Sequence, residues 1–324
     1  MRAMVITENG LQLRDVPTPV PGADDVLVRV RAAGLNRAEL AMASGHAHGA
    51  LGGVGSTIGL EWAGEVAAVG ANVTHVKPGD RVMASGSGGY AEYALTDHGR
   101  VSPVPATNMG WEQAATLPIA LQTMHDALAT NGDLQPGGSA LIQGASSGVG
   151  LMGLQIAREL GAAVILGASR NPAHRARLSE FGATAAIDTG DTSWPDHVLA
   201  ATGGQGVDLV VDMVSAPVSR GNLLATRIKG RIVNVGRLGG STGPFDFDLH
   251  AARRIHYVGV TFRTRSLDEV RTINRLMQEA LWPALEAGRL ALPIDRVFPL
   301  EQANEAQAHM RANGHLGKIV LSVS

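Results

Sequence analysis

The chain has 324 residues, 45% of them hydrophobic and 17% charged, with a formal net charge of −2 and no cysteine. That length exceeds what one small core usually organises, so two domains are expected, and the near-neutral balance without a basic stripe gives no support to a nucleic-acid surface. Without cysteine there can be no disulfide, no thiolate catalysis and no thiolate-containing zinc site, and no apolar stretch reaches the roughly 18 residues that would cross a bilayer.

Met1–Ile6 begins directly as a strand and carries no signal-peptide pattern, so a cytoplasmic location is expected. The segment 25–31 partly alternates and Trp62–Val66 is a second strand candidate. Lys77-Pro78-Gly79-Asp80 is a turn before Arg81–Met83, and the glycine-rich interval from Ser85 to Gly89 reads as a tight loop before Tyr90–Ala94. The first 110 or so residues therefore read as a β-rich, barrel-like domain.

From about residue 120 the pattern changes to strands separated by helices. Strand candidates are 139–143, 162–167, 184–187, 207–212, 230–235 and 255–261, an order that fits an α/β, doubly wound parallel sheet. Ser266 to Gly288 reads as a helix and 317–321 as a last strand, which is expected to return to the first domain and leave a cleft between the two.

The segment with the most chemistry is Gln143-Gly144-Ala145-Ser146-Ser147-Gly148-Val149-Gly150. An apolar run, Ala140–Ile142, precedes it, and a helical pattern carrying Val149, Met152, Ile156 and Leu160 follows. With 41 glycines in the chain, the spacing alone says little. The context is that of a βαβ unit whose glycine turn opens a helix, and the first N–H groups and dipole of that helix favour a pyrophosphate. Residues Ala145 to Gly150 are the expected cradle, the alternative being a strand-to-helix turn with no ligand.

After the next strand the chain reads Gly167-Ala168-Ser169-Arg170-Asn171-Pro172. A site for NAD usually carries Asp or Glu there to accept from the ribose hydroxyls, whereas Ser169 and Arg170 suit a 2′-phosphate and hence NADPH. Only three of the 27 basic residues are lysines, so any single arginine carries less information, and Arg170 also fits a solvated loop.

Over nearly its whole length the chain resembles the zinc-independent quinone oxidoreductase branch of the medium-chain dehydrogenase/reductase superfamily. The resemblance is carried by Gly34-Leu35-Asn36, Gly59–Gly64, Lys77–Val82, Gly88–Tyr93, Leu117-Pro118, Gly144–Gly150 and Gly317–Leu321. It implies a GroES-like catalytic domain, 1–121 with 264–324, around an inserted Rossmann domain, 122–263. It also implies a homodimer through the cofactor domains.

Zinc alcohol dehydrogenases share this architecture but carry a ligand histidine after the glycine where this chain has Leu60, so no metal is expected. His46 and His48 sit in a glycine-rich loop with no third ligand. The resemblance places His174 where relatives have a phosphate-facing lysine, and it brings Gly236, Phe262 and Arg263 towards the nicotinamide. Lys318 is read either as a pyrophosphate contact or as a surface lysine. The tyrosine that relatives place near the adenosine is absent at Ile187-Asp188-Thr189.

For chemistry, the resemblance points to hydride transfer from NADPH to a quinone or enone, which requires stabilising charge on a carbonyl oxygen and supplying a proton. Asn36 is the first candidate for orienting the nicotinamide or the substrate carbonyl, and Thr123 is the second. Asn36 also fits a cap on a helix beginning at Arg37, and Thr123 a buried turn. Enoyl reductases of this family use a tyrosine in the loop from Leu40 to Gly53, which holds none here, leaving His46, His48 or water as proton source. The competing functions are an enone or enoyl-type reductase with little quinone activity and a catalytically idle NADPH-binding protein.

Overall fold

Arg2–Thr7 (β1) and Gly10–Asp15 (β2) form an antiparallel hairpin, with four successive residues of β1 buried. Asp25–Gly34 (β3) is long and mostly buried, because it pairs with Glu61–Val69 (β4), with Tyr93–Asp97 (β6) and with a strand from the far end of the chain. Register shifts at Leu27/Val28 and Val30/Ala32 mark where its pairing with β4 slips, as bulges that bend a barrel strand do. Arg81–Ser85 (β5) and Val101–Pro103 (β7) complete this run of strands. Three short helices, Arg37–Met42 (α1), Trp111–Ala114 (α2) and Pro118–His125 (α3), follow β3 and β7.

The strand expected at Tyr90–Ala94 begins at Tyr93. Tyr90 instead bridges two other segments, donating its N–H to Ile58 O and accepting from Met4 N–H at its carbonyl, with its ring fully buried.

The computed structural model describes residues 1–47, 49, 51–106 and 109–324. They form two units, Met1–Ile119 with Phe262–Ser324, and Ala120–Thr261. Phe262 and Arg263 thus fall in the first unit, whereas the resemblance implies an inserted domain that runs to residue 263.

The second unit is one parallel sheet: Ser139–Gln143 (β8), Val164–Ala168 (β9), Ala185–Ile187 (β10), Val207–Asp212 (β11), Thr226–Asn234 (β12) and His256–Gly259 (β13). The spatial order is β10-β9-β8-β11-β12-β13, so the chain runs outward from β8 and then returns to its other side. Where that reversal occurs, turns diverge at the carboxyl edge and leave a crevice. Gly148–Glu159 (α4), Pro172–Arg175 (α5), Trp194–Ala201 (α6), Ser219–Ala225 (α7) and Phe247–Arg253 (α8) connect the strands. β12 starts at Thr226, earlier than its apolar run suggests, because Thr226 pairs with Val207 and the pairing with β11 resumes at Arg231 after a register shift, while residues 227–229 stay exposed.

Back in the first unit, Leu267–Glu286 (α9) starts with a capping box: Ser266 Oγ accepts from Glu269 N–H, and Glu269 Oε2 accepts from Ser266 N–H. Val270, Ile273, Met277, Leu281 and Ala284 form its buried stripe, at the three-and-four spacing of a helix face. Ile294–Pro299 (β14), Ala303–Arg311 (α10) and Lys318–Ser322 (β15) follow. β15 pairs antiparallel with β3, giving the seven-stranded sheet β14-β15-β3-β4-β5-β7 with β6 on β3. Among the described residues no helix is long and apolar enough to cross a membrane.

Candidate functional site

In the second unit, β8 ends at Gln143 and the chain turns through Gly144, whose φ of 70° lies in the left-handed region. Ala145 N–H donates to Ala168 O at 2.9 Å, which pins the turn to the end of β9. Ser147 caps α4, its Oγ accepting from Gly150 N–H at 3.0 Å. A Cβ on Gly150 would lie 2.5 Å from Gly144 O and 2.7 Å from Ala145 Cα, so the helix start can sit this close to the turn only without a side chain. The N–H groups of Gly148 and Val149 have no intrahelical acceptor and form the positive end of the helix. This cradle fits a pyrophosphate.

At the end of β9, Ser169 is buried and its hydroxyl donates to Ser146 Oγ at 3.1 Å. That contact joins the strand end to the glycine turn. Arg170 is exposed and, among the described residues, makes no ion pair. Arg175 is spent locally, on Asp188 at 2.9 Å and on the carbonyls of Ser169 and Arg170. His174 is half-buried, and its backbone N–H is capped by Asn171 Oδ1. The Arg175–Asp188 pair links residues on different elements and left no pattern in the sequence.

Gly236 follows β12 in a loop packed on the turn after β11. Its carbonyl accepts from Ser215 Oγ at 2.7 Å, and a Cβ here would meet Met213 O at 2.8 Å.

The first unit holds a buried polar cluster around Asn36. Asn36 is the residue before α1, and its backbone N–H donates to Glu39 Oε2 at 2.8 Å. It stands at the N-cap of α1, in a capping box with Glu39. Asn36 Nδ2 donates to Glu61 Oε1 at 3.0 Å, and Asn36 Oδ1 accepts from Lys318 Nζ at 3.1 Å. Lysine can only donate and a carboxylate can only accept, so these two partners fix which way the amide faces.

Lys318, 4% exposed, also donates to Leu35 O at 2.6 Å and to Glu61 Oε1 at 2.5 Å. An ammonium has three N–H donors, and all three are taken. Lys318 is therefore a buried lysine rather than a surface one, and its donors are engaged within the first unit.

Glu39, 1% exposed, accepts from Leu60 N–H at 2.8 Å and from the Tyr90 hydroxyl. Burial pushes its carboxyl from 4.5 up to about 7, against the pull of Tyr90, the two backbone N–H groups and Lys318. Burial, with Glu39 next to it, drives the Tyr90 hydroxyl well above its ordinary value. Glu61 Oε2 accepts from Ile119 N–H at 2.9 Å. The functional reading of the sequence passed over Glu39, Glu61 and Tyr90. The signals were an acid three residues after Asn36, and a lone acid inside the apolar run Leu60-Glu61-Trp62.

Thr123 is half-buried in α3, a helical position rather than a turn. Phe262 is half-buried and Arg263 exposed. His46 is exposed, and His48 lies outside the described residues. Among the described residues no group of three or more His, Asp or Glu is placed to hold a metal ion.

Residues 22–106 match the family described as alcohol dehydrogenase GroES-like domain, and residues 148–279 the family described as zinc-binding dehydrogenase. The chain is 31% identical to a quinone oxidoreductase of Rattus norvegicus over 99% of its own length and 97% of that protein's. An alcohol dehydrogenase superfamily protein from Novosphingobium aromaticivorans superposes with a TM-score of 0.90 at 27% identity, covering 100% of both chains. A mycobacterial protein complexed with NADPH superposes with a TM-score of 0.87 at 26% identity, covering 99% of this chain and 100% of that one.

Proposed function

Because the chain belongs to the medium-chain dehydrogenase/reductase superfamily, with a quinone oxidoreductase as a near-full-length relative, we propose that it is an NADPH-dependent reductase. It transfers hydride to a quinone or to an alkene conjugated with a carbonyl, and it does so without a metal ion.

The observation that carries this reading is Lys318. In the segments where zinc alcohol dehydrogenases place ligands, this chain presents Asn36 and the hydrocarbon of Leu60, and the adjoining carboxylate Glu61 already holds an ammonium. A zinc ion does not fit that donor set: it would lack soft ligands and face a fixed positive charge. Alcohol oxidation in such folds uses the metal as a Lewis acid on the alcohol oxygen. Addition of hydride to a conjugated system instead spreads the developing charge over an enolate or a quinol, which hydrogen bonds and a proton can meet.

NADPH, when bound, supplies the hydride. The turn from Gly144 to Gly150 and the first turn of α4 fit its pyrophosphate, with Gly150 keeping the approach open. Arg170, exposed and unpaired among the described residues, fits the 2′-phosphate, and no acid stands at that strand end to favour NADH. Asn36 has both amide hydrogens turned inward, towards Glu61 Oε1 and, at 3.4 Å, Gly34 O. Its remaining capacity is as an acceptor at Oδ1, which suits a carboxamide or hydroxyl donor better than a substrate carbonyl. Thr123 is the candidate donor to that carbonyl. His46 or a water supplies the proton, since the Tyr90 hydroxyl is spent on Glu39.

The same reading makes the protein a homodimer through its cofactor units. β13 is the outer strand of the six, with β12 on its inner side and Tyr257 exposed along it, and such an edge offers unpaired backbone groups to a second copy.

The test is to mix the protein with NADPH and a panel of quinones and enones and to follow nicotinamide absorbance. Oxidation above buffer with at least one acceptor is expected. Tight NADPH binding with no oxidation by any acceptor would overturn the enzyme reading and leave a binding protein.

A further inference from the structure

Gln143, Asp212 and Asn234 are the last residues of the neighbouring strands β8, β11 and β12, and they are register partners across the sheet. In parallel strands, partners in register project from the same face. All three are buried, as is Asn222 of α7. Gln143 Nε2 donates to Asn222 Oδ1 at 2.9 Å, and Asn222 Nδ2 donates to Asp212 Oδ2 at 3.0 Å. Asp212 Oδ1 accepts from the N–H groups of Val214 at 2.8 Å and Ser215 at 2.9 Å. Ser215 Oγ accepts from Asn234 Nδ2 at 2.6 Å and donates to Gly236 O at 2.7 Å.

The carboxylate sets the direction of this chain of bonds. It only accepts, so Asn222 turns its amide N–H towards it and its carbonyl towards Gln143. Gln143 Oε1 is then left in the interior without a partner, a cost that an apolar row would not carry. Ser215 is held at φ 70° and ψ −115°, a conformation that non-glycine residues rarely adopt. An orphaned acceptor and a strained backbone persist together where one network joins three turns: the glycine turn through Gln143, the turn after β11 through Asp212, and the loop at Gly236 through Ser215.

Those turns lie on one side of the sheet's reversal. Arg170 follows β9, on the far side of β8 from β11 and β12. A dinucleotide with its pyrophosphate at the glycine turn and its adenosine towards Arg170 extends its other half over the ends of β11 and β12. We propose that Asp212, Asn222 and Ser215 are positioning residues that hold these three turns in one arrangement for the nicotinamide half of the cofactor. This rests on the reading of the second unit as an NADPH site.

The experiment compares calorimetric binding of NADPH with that of 2′-phospho-ADP-ribose, which lacks the nicotinamide, in the full-length wild type and in Ser215→Ala. The variant should weaken NADPH about tenfold and change the nicotinamide-free ligand less than about twofold, the difference expected when buried hydrogen bonds serving one half of a ligand are removed. The emission of bound NADPH should move towards that of free NADPH. Ser215→Gly keeps the positive φ without strain and still lacks the hydroxyl, so it should behave as Ser215→Ala does. Equal weakening of both ligands, no weakening of either, or wild-type behaviour in Ser215→Gly would overturn the assignment. Failure of the wild type to bind either ligand would remove the cofactor reading itself, and this inference with it.

Discussion

Glu39 makes a stability measurement into a test of the buried cluster. Its carboxyl is raised from 4.5 to about 7 because burial disfavours the charged form more than its hydrogen-bond donors and Lys318 favour it. The folded protein therefore holds a proton here that the unfolded chain releases at lower pH. The corresponding stability is complete below about pH 4.5 and is lost as pH rises through about 7, and a shift of about 2.5 at about 1.4 kcal/mol each amounts to about 3 kcal/mol. Glu39→Gln cannot titrate and still offers one carbonyl oxygen to Leu60 N–H or Asn36 N–H. Its amide can turn an N–H towards the Tyr90 oxygen. The variant should be less stable than wild type at about pH 5, where the protonated acid is well accommodated, and should gain on it by a few kcal/mol towards about pH 8. Urea denaturation of both proteins across that range gives the difference directly. A wild-type-minus-variant difference that stays flat with pH would refute the claim that Glu39 titrates near neutrality.

Arg170→Ala should raise the Michaelis constant for NADPH about ten- to a hundredfold, as expected for a lost charge-assisted contact to phosphate, and leave that for NADH nearly unchanged; equal changes would remove Arg170 from the site. Lys318→Met leaves Glu61 buried without its cation and should cost about 3–5 kcal/mol in denaturant unfolding. A cost below about 1 kcal/mol would show that Asn36 and Ile119 N–H suffice for that carboxylate.

The cofactor unit was legible because its signals are local. The run Ala140–Ile142, the glycine turn and the helical spacing from Val149 to Leu160 lie within one short stretch, and β8 and α4 appear at Ser139–Gln143 and Gly148–Glu159. Strand ends were less legible wherever pairing continues past the apolar residues. Arg227, Ile228 and Lys229 near the start of β12 are exposed and carry no hydrophobic pattern, and the strand reaches past them only through buried Thr226, which pairs with Val207. Ser169 was read by its residue type at a known kind of strand end, but where its hydroxyl points depends on Ser146, which comes 23 residues earlier.

The cluster in the first unit was illegible for a stronger reason. Lys318 meets Leu35 and Asn36 only because β15 runs antiparallel to β3 in a register that pairs Val320 with Gly34, and no local periodicity encodes a register between segments more than 280 residues apart. Once that register is known, the charge balance follows. Glu61 holds the single ammonium directly, at 2.5 Å, while Glu39 is left to backbone N–H groups and a phenol. Two buried carboxyls with one cation cannot both be matched by charge, so the one without a direct cation is the one that burial drives up to about 7. The inward-turned amide of Asn36 follows from the same placement: between an obligate donor and an obligate acceptor it has one stable orientation, and that orientation leaves an oxygen, not an N–H, to offer a ligand.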